Sequence, residues 1–93
     1  MKQNIDDILR YIDDARDRLS KTRDKRQYSL TLIELKSWMD ELEHTLTIGD
    51  LKNEEYAAAY NGIFSPKDGI SEYDRICNNI DSQPYSSLYH KIF

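Results

Sequence analysis

In "QYSLTLIELKSWMDELEHTLTIGD" the residues Tyr28, Leu32, Leu35, Met39, Leu42 and Leu46 step by four, three, four, three and four. Only a helix places such a series on one side, as a heptad seam, because a strand returns to the same face every second residue. The opening "YSLTL" alternates as a short strand would, but "IELKSWMDELEHTL" is too long and too strictly helical for that reading to extend. A seam of this length needs covering, so this helix is expected to carry the core. Glu34, Ser37, Glu41 and His44 lie opposite it, and Asp40 and Glu43 lie on its flanks. Trp38 sits beside the seam, where an indole can be half buried with its N–H in water.

The preceding stretch "NIDDILRYIDDARDRLSKT" puts Ile5, Ile8, Ile12, Ala15 and Leu19 on one helical face, widened or flanked by Leu9 and Tyr11. Asn4 is a natural N-cap, and Asp6 and Asp7 suit the positive helix start. The pairs Asp6/Arg10, Asp14/Arg18 and Asp17/Lys21 have the acid four residues ahead of the base, a favourable arrangement. Ile48-Gly49-Asp50 ends the second helix. A short third helix follows in "NEEYAAAYN", capped by Asn53 and stopped by Gly62, with three alanines that allow close packing. Ser71 with Asp74 resembles a capping box that opens a fourth helix bearing Tyr73, Ile76, Cys77 and Ile80. Pro84 starts a last short helix with the stripe Tyr85, Leu88, Tyr89 and Ile92. Between the third and fourth helices, Ser65-Pro66-Lys67-Asp68 has the composition of a turn. Phe64 and Ile70 are read as pins fastening it to the bundle.

These elements predict an all-α fold, a small antiparallel helical bundle of four to five helices, with residues 1–93 as a single helical domain. A domain of 93 residues has room for one core. No run of about 18 apolar residues is present to span a bilayer. "MKQNIDDILR" lacks the apolar stretch of a secretory signal, so a soluble, cytoplasmic protein without membrane insertion is expected. The single cysteine, Cys77, has no internal disulfide partner, and no Cys/His set forms a metal site. It is read as a half-buried thiol.

The net charge of -4 is unevenly spread. Residues 27 to 74 hold three bases against ten acids, a block of -7 that repels nucleic acid and favours a basic partner. The run "KTRDKR" has four bases in six residues, but its acidic neighbours and its place near a helix C-terminus favour a structural role over phosphate binding. No Gly-rich phosphate loop or metal-binding motif occurs, and neither His44 nor His90 has a partner at catalytic spacing. No enzyme, metal or cofactor is expected. What remains is a surface for partner binding. Its acids are Asp40, Glu41, Glu43, Glu54, Glu55, Asp68, Glu72 and Asp74, with Trp38, Tyr56, Tyr60 and Tyr73 among them as the residue types that most often anchor interfaces.

In "IFSPKDGISEY", Ile63-Phe64, a short loop, Gly69 and Ile70-Ser71-Glu72 form a hydrophobic, glycine, small-acidic pattern. With the small acidic helical chain around it, this stretch resembles the bacterial toxin immunity proteins of contact-dependent inhibition and colicin systems. The resemblance implies a stoichiometric inhibitor that covers the cleft of a cognate protein toxin, a basic nuclease domain, as a monomer or dimer. Two other readings stand beside it. One is immunity to a pore-forming peptide bacteriocin, acting through "PYSSLYHKIF". The other is a regulatory adaptor or an inhibitor whose acidic face mimics nucleic acid.

Overall fold

The computed structural model describes residues 4–82. They form four α-helices: α1 (Ile5–Lys21), α2 (Lys25–Thr45), α3 (Glu54–Phe64) and α4 (Glu72–Asp81), with a 3-10 turn at Asp50–Lys52. The fold is the expected small all-α bundle. The helix expected from Pro84 lies outside the described residues. No helix among the described residues is long and apolar enough to cross a membrane.

Helices α1 and α2 make an antiparallel hairpin whose apolar stripes meet. Ile8, Ile12 and Ala15 from α1 and Leu32, Leu35, Met39 and Leu42 from α2 are buried there, and Tyr28 and Leu46 close the ends of the seam. Burying each large aliphatic side chain favours the fold by about 1.5–3 kcal/mol before chain entropy is counted. The seam of α2 is thus used within the chain. Ser29 and Thr31 are also buried, and their hydroxyls donate to the Lys25 and Gln27 carbonyls of the same helix, so no polar atom is stranded.

Side chains terminate the helices much as the spacing predicts. Asn4 accepts from the Asp6 N–H, Asp24 from the Gln27 N–H, and Asn53 from the Glu55 and Tyr56 N–H groups. The Ser71 hydroxyl accepts from the Asp74 N–H. Asp14/Arg18 and Asp17/Lys21 pair as expected, at 3.0 and 3.1 Å. Asp6/Arg10 does not: Arg10 pairs with Asp7, equally a neighbour at three residues, while Asp6 is taken by Tyr56.

Helix α4 crosses α2 in the antiparallel sense: Tyr73 at its start bonds Asp40, and Asn79 near its end donates to the Tyr28 hydroxyl. Ile76 and Ile80 enter the core, and Cys77 is half-buried. Helix α3 runs past Gly62, which does not stop it. Ile63 is fully buried, and this gain outweighs the roughly 1 kcal/mol cost of a helical glycine. The helix ends at Phe64 because Ser65 precedes Pro66, whose ring disfavours helical backbone there, and Ser65 is extended (φ -87°, ψ 134°).

The turn lies two residues later than its composition suggested. Lys67 and Ile70 exchange both backbone hydrogen bonds, at 2.9 and 3.2 Å, around Asp68 and Gly69, which have φ of 55° and 88°. Two successive positive φ values are the signature of a type I′ turn, for which Asp-Gly is a preferred pair. Ile63 and Phe64 are the residues that fasten this segment to the core, whereas Ile70 is only half-buried and contributes the bridge to Lys67.

The two glycines should respond oppositely to alanine. Gly69→Ala is expected to destabilise by about 1 kcal/mol because the side chain is forced into left-handed backbone. Gly62→Ala should stabilise by about 0.5–1 kcal/mol, since an added Cβ meets nothing within 4 Å. Urea denaturation of both variants measures the two signs.

Candidate interaction site

The twelve residues singled out in the sequence do not share one surface. On α2, Trp38 and Asp40 project about 200° apart, so they lie on opposite flanks of the seam. Trp38 stacks on Tyr11 of α1, with ring centroids 4.7 Å apart. Beside them, Arg18 grips Glu34 with two hydrogen bonds of 2.9 and 2.8 Å. The hydrogen bond from Arg18 holds Glu34 below the usual carboxylate range, against the opposing effect of its partial burial. This flank therefore closes the α1–α2 hairpin.

A second group lies where α4 begins. The Tyr73 hydroxyl donates to Asp40 at 2.6 Å, and Lys36 bonds the other oxygen of Asp40 at 2.8 Å while standing 5.6 Å from the Tyr73 ring. Burial, then the hydrogen bond to anionic Asp40, pushes the Tyr73 phenol well above its ordinary range. Phe64 lies between Tyr60 and Tyr73, with centroids 4.9 and 5.3 Å away. Glu72 accepts from Arg16 through both carboxylate oxygens, and Arg16 also reaches Asp13 at 3.0 Å. Asp40, Glu72 and Tyr73 thus hold α4 to the hairpin, and Phe64, stacked with Tyr60 of its own helix, joins α3 to Tyr73. Asp68 and Asp74 are exposed, as is most of the turn that carries the former.

The third group occupies one end of the bundle. Antiparallel packing brings the start of α1 beside the end of α2, and the Tyr56 hydroxyl donates to Asp6 at 2.9 Å, tying the start of α3 to the same end. That hydrogen bond, followed by burial and the charges of Asp6, Asp50 and Glu55, raises the Tyr56 phenol above its ordinary range. Glu54 and Glu55 are exposed in the first turn of α3, and Glu43 is exposed in the last turn of α2. Glu41 is half-buried one residue pair earlier on α2. Lys52 is the base among these acids.

The residues missed from the sequence are at this end too. Thr47 and Asp50 form a reciprocal capping box: the Asp50 N–H donates to the Thr47 hydroxyl at 3.1 Å, and the Thr47 N–H donates to the Asp50 carboxylate at 3.0 Å. This stiff turn holds Ile48 at 84% exposure, with Leu51 at 36% just beyond it. The signal was legible as Thr-x-x-Asp, but Gly49 drew attention as a helix terminator and hid the box.

Burial pushes the Cys77 thiol up, away from a reactive thiolate. No group of three or more His, Cys, Asp or Glu among the described residues could hold a metal ion.

The two polar junctions predict opposite pH limbs. Tyr73 has a raised folded-state pKa, so its contribution is present below its unfolded value of about 10 and lost as pH rises beyond it. Tyr73→Phe should cost about 1 kcal/mol at neutral pH and flatten the alkaline limb. Glu34 is depressed, so its contribution is present above about 4.3 and lost as pH falls; Glu34→Gln should flatten the acid limb. Urea midpoints across pH test both. Compared with known proteins, the chain matches no family model, no curated protein and no solved structure.

Proposed function

We propose that this protein is a stoichiometric inhibitor of the toxin-immunity kind, which binds a basic toxin domain, such as a nuclease, through the end of the bundle formed by Asp6, Glu43, Asp50, Glu54 and Glu55. The observation that carries the reading is Ile48, an 84% exposed side chain on a turn closed by the Thr47–Asp50 hydrogen bonds. A rigid turn loses little entropy on binding, an apolar tip slows dissociation, and the carboxylates speed encounter with a cationic partner. A nuclease must be cationic around its substrate cleft, which makes it a fitting target for such an end.

The partner-binding role is thereby narrowed from the twelve residues first considered. Glu43, Glu54 and Glu55 belong to the proposed interface, Ile48, Asp50 and Leu51 join it, and Asp40, Tyr56, Glu72 and Tyr73 are assigned to the fold.

The test is co-expression with basic nuclease toxin domains, starting with any that the neighbouring reading frame encodes, together with binding measured over a salt series. Protection of the cells and affinity that falls steeply with salt are expected; a chain that neither protects nor binds refutes the proposal. Ile48→Ser should raise Kd about tenfold or more, and Glu54→Lys with Glu55→Lys should mainly slow association. All three positions are exposed, so stability should move by less than about 0.5 kcal/mol.

A further inference from the structure

A cleft of about 370 Å³ opens between α1 and α3, away from the Ile48 turn, and a second hollow of about 340 Å³ adjoins it. Both are lined by Gly62, Lys67 and Glu72, so they form one continuous trough. Either volume falls in the range of about 300–1,000 Å³ usual for small-molecule pockets. Leu9, Ala58, Ala59 and Ile63 give the first part an apolar floor, and Ile70 and Ile76 continue it in the second.

Charge selects the occupant. The acids on the wall, Asp13 and Glu72, are already bonded to Arg16, whereas exposed Lys67 and Arg75 have no acidic partner among the described residues. A guanidinium carries five N–H donors, and Glu72 and Asp13 take three of those of Arg16. Two carboxylates thus more than neutralise Arg16, and Lys67 and Arg75 are the cations left to meet an anion. The trough thus combines a narrow apolar floor with unspent positive groups on a chain that is negative overall.

Gly62 gives this trough its depth without a need of the fold. Its φ is not positive, a Cβ there would meet nothing within 4 Å, and a glycine inside a helix costs stability. The residue does nothing for the packing that alanine would not do better. A glycine that the fold does not require, facing a hollow, fits a ligand that lies against the helix backbone.

We infer that the trough between α1, α3 and α4 binds a small amphipathic carboxylate, with its apolar body along Ala58, Gly62 and Leu9 and its carboxylate at Lys67 and Arg75. The site is separate from the acidic end, so it stands or falls independently of the inhibitor reading.

Decanoate is the probe, kept below its micelle concentration in the low millimolar range, with decanol and decyltrimethylammonium as charge controls. Titration followed by amide chemical shifts should give saturable decanoate binding, with shifts gathered on residues 58–63, 67 and 72 and weaker effects from both controls. Gly62→Leu should weaken binding about tenfold or more while Tm holds or rises, because the side chain fills the trough. Lys67→Glu, an exposed change in the turn, should weaken decanoate but not decanol. No saturable binding overturns the inference, as do equal responses to the three probes or shifts gathered at Ile48 and Leu51. Undiminished binding by folded Gly62→Leu overturns it as well.

Discussion

Everything else in the bundle is placed by the α1–α2 seam. Ile8, Ile12 and Ala15 meet Leu32, Leu35, Met39 and Leu42 at full burial, and the register of that contact fixes which flanking residues face each other. Tyr11 meets Trp38 and Arg18 meets Glu34 on one flank because both helices turn the same apolar stripe inward. On the other flank, Leu9, Asp13 and Arg16 of α1 and Lys36 and Asp40 of α2 are left facing a groove. Helices α3 and α4 are too short to be stable alone in water, so they form by docking into what the hairpin provides.

That docking consumes polar groups that a sequence reader would assign to partners. Tyr73 with Asp40, Glu72 with Arg16 and Tyr56 with Asp6 each join residues more than 30 positions apart. Ile63, Ile76 and Ile80 supply the apolar part of the same joints, while the polar contacts set where α3 and α4 sit along the hairpin. An aromatic beside an acid in a short helix is thus as consistent with a polar joint as with an interface. Only the distance to a third residue from another element distinguishes the two.

Legibility in the sequence followed the range of the interaction. The stripe from Tyr28 to Leu46, the caps at Asn4, Asn53 and Ser71, and the four-apart pairs Asp14/Arg18 and Asp17/Lys21 are local or periodic, and all could be read directly. The end of α3 could not, because burial of Ile63 opposes the low helix propensity of Gly62, and that burial is set by residues distant in sequence. The Asp68-Gly69 turn was readable in principle from its dipeptide, but the neighbouring Pro66 drew the boundary too early. The candidate site was the least legible part. Its acids come from separate elements, and their grouping at one end depends on antiparallel packing and on contacts such as Tyr56–Asp6.

Antiparallel packing also separates charge along the molecule. The start of α1, the end of α2 and the start of α3 gather Asp6, Glu43, Asp50, Glu54 and Glu55, while the α1–α2 connection gathers Lys21, Arg23, Lys25 and Arg26. Helix α2, with 21 residues, sets the two ends about 30 Å apart. Lys21 suits the end of α1, but Lys25 and Arg26 stand in the first turn of α2, where the helix dipole disfavours bases and the Asp24 cap is the one acid beside them. The earlier attribution of the basic run to a helix C-terminus therefore holds for only part of it. A gradient that local helix energetics does not require still acts on approach: a cationic surface is repelled by one end and drawn to the other.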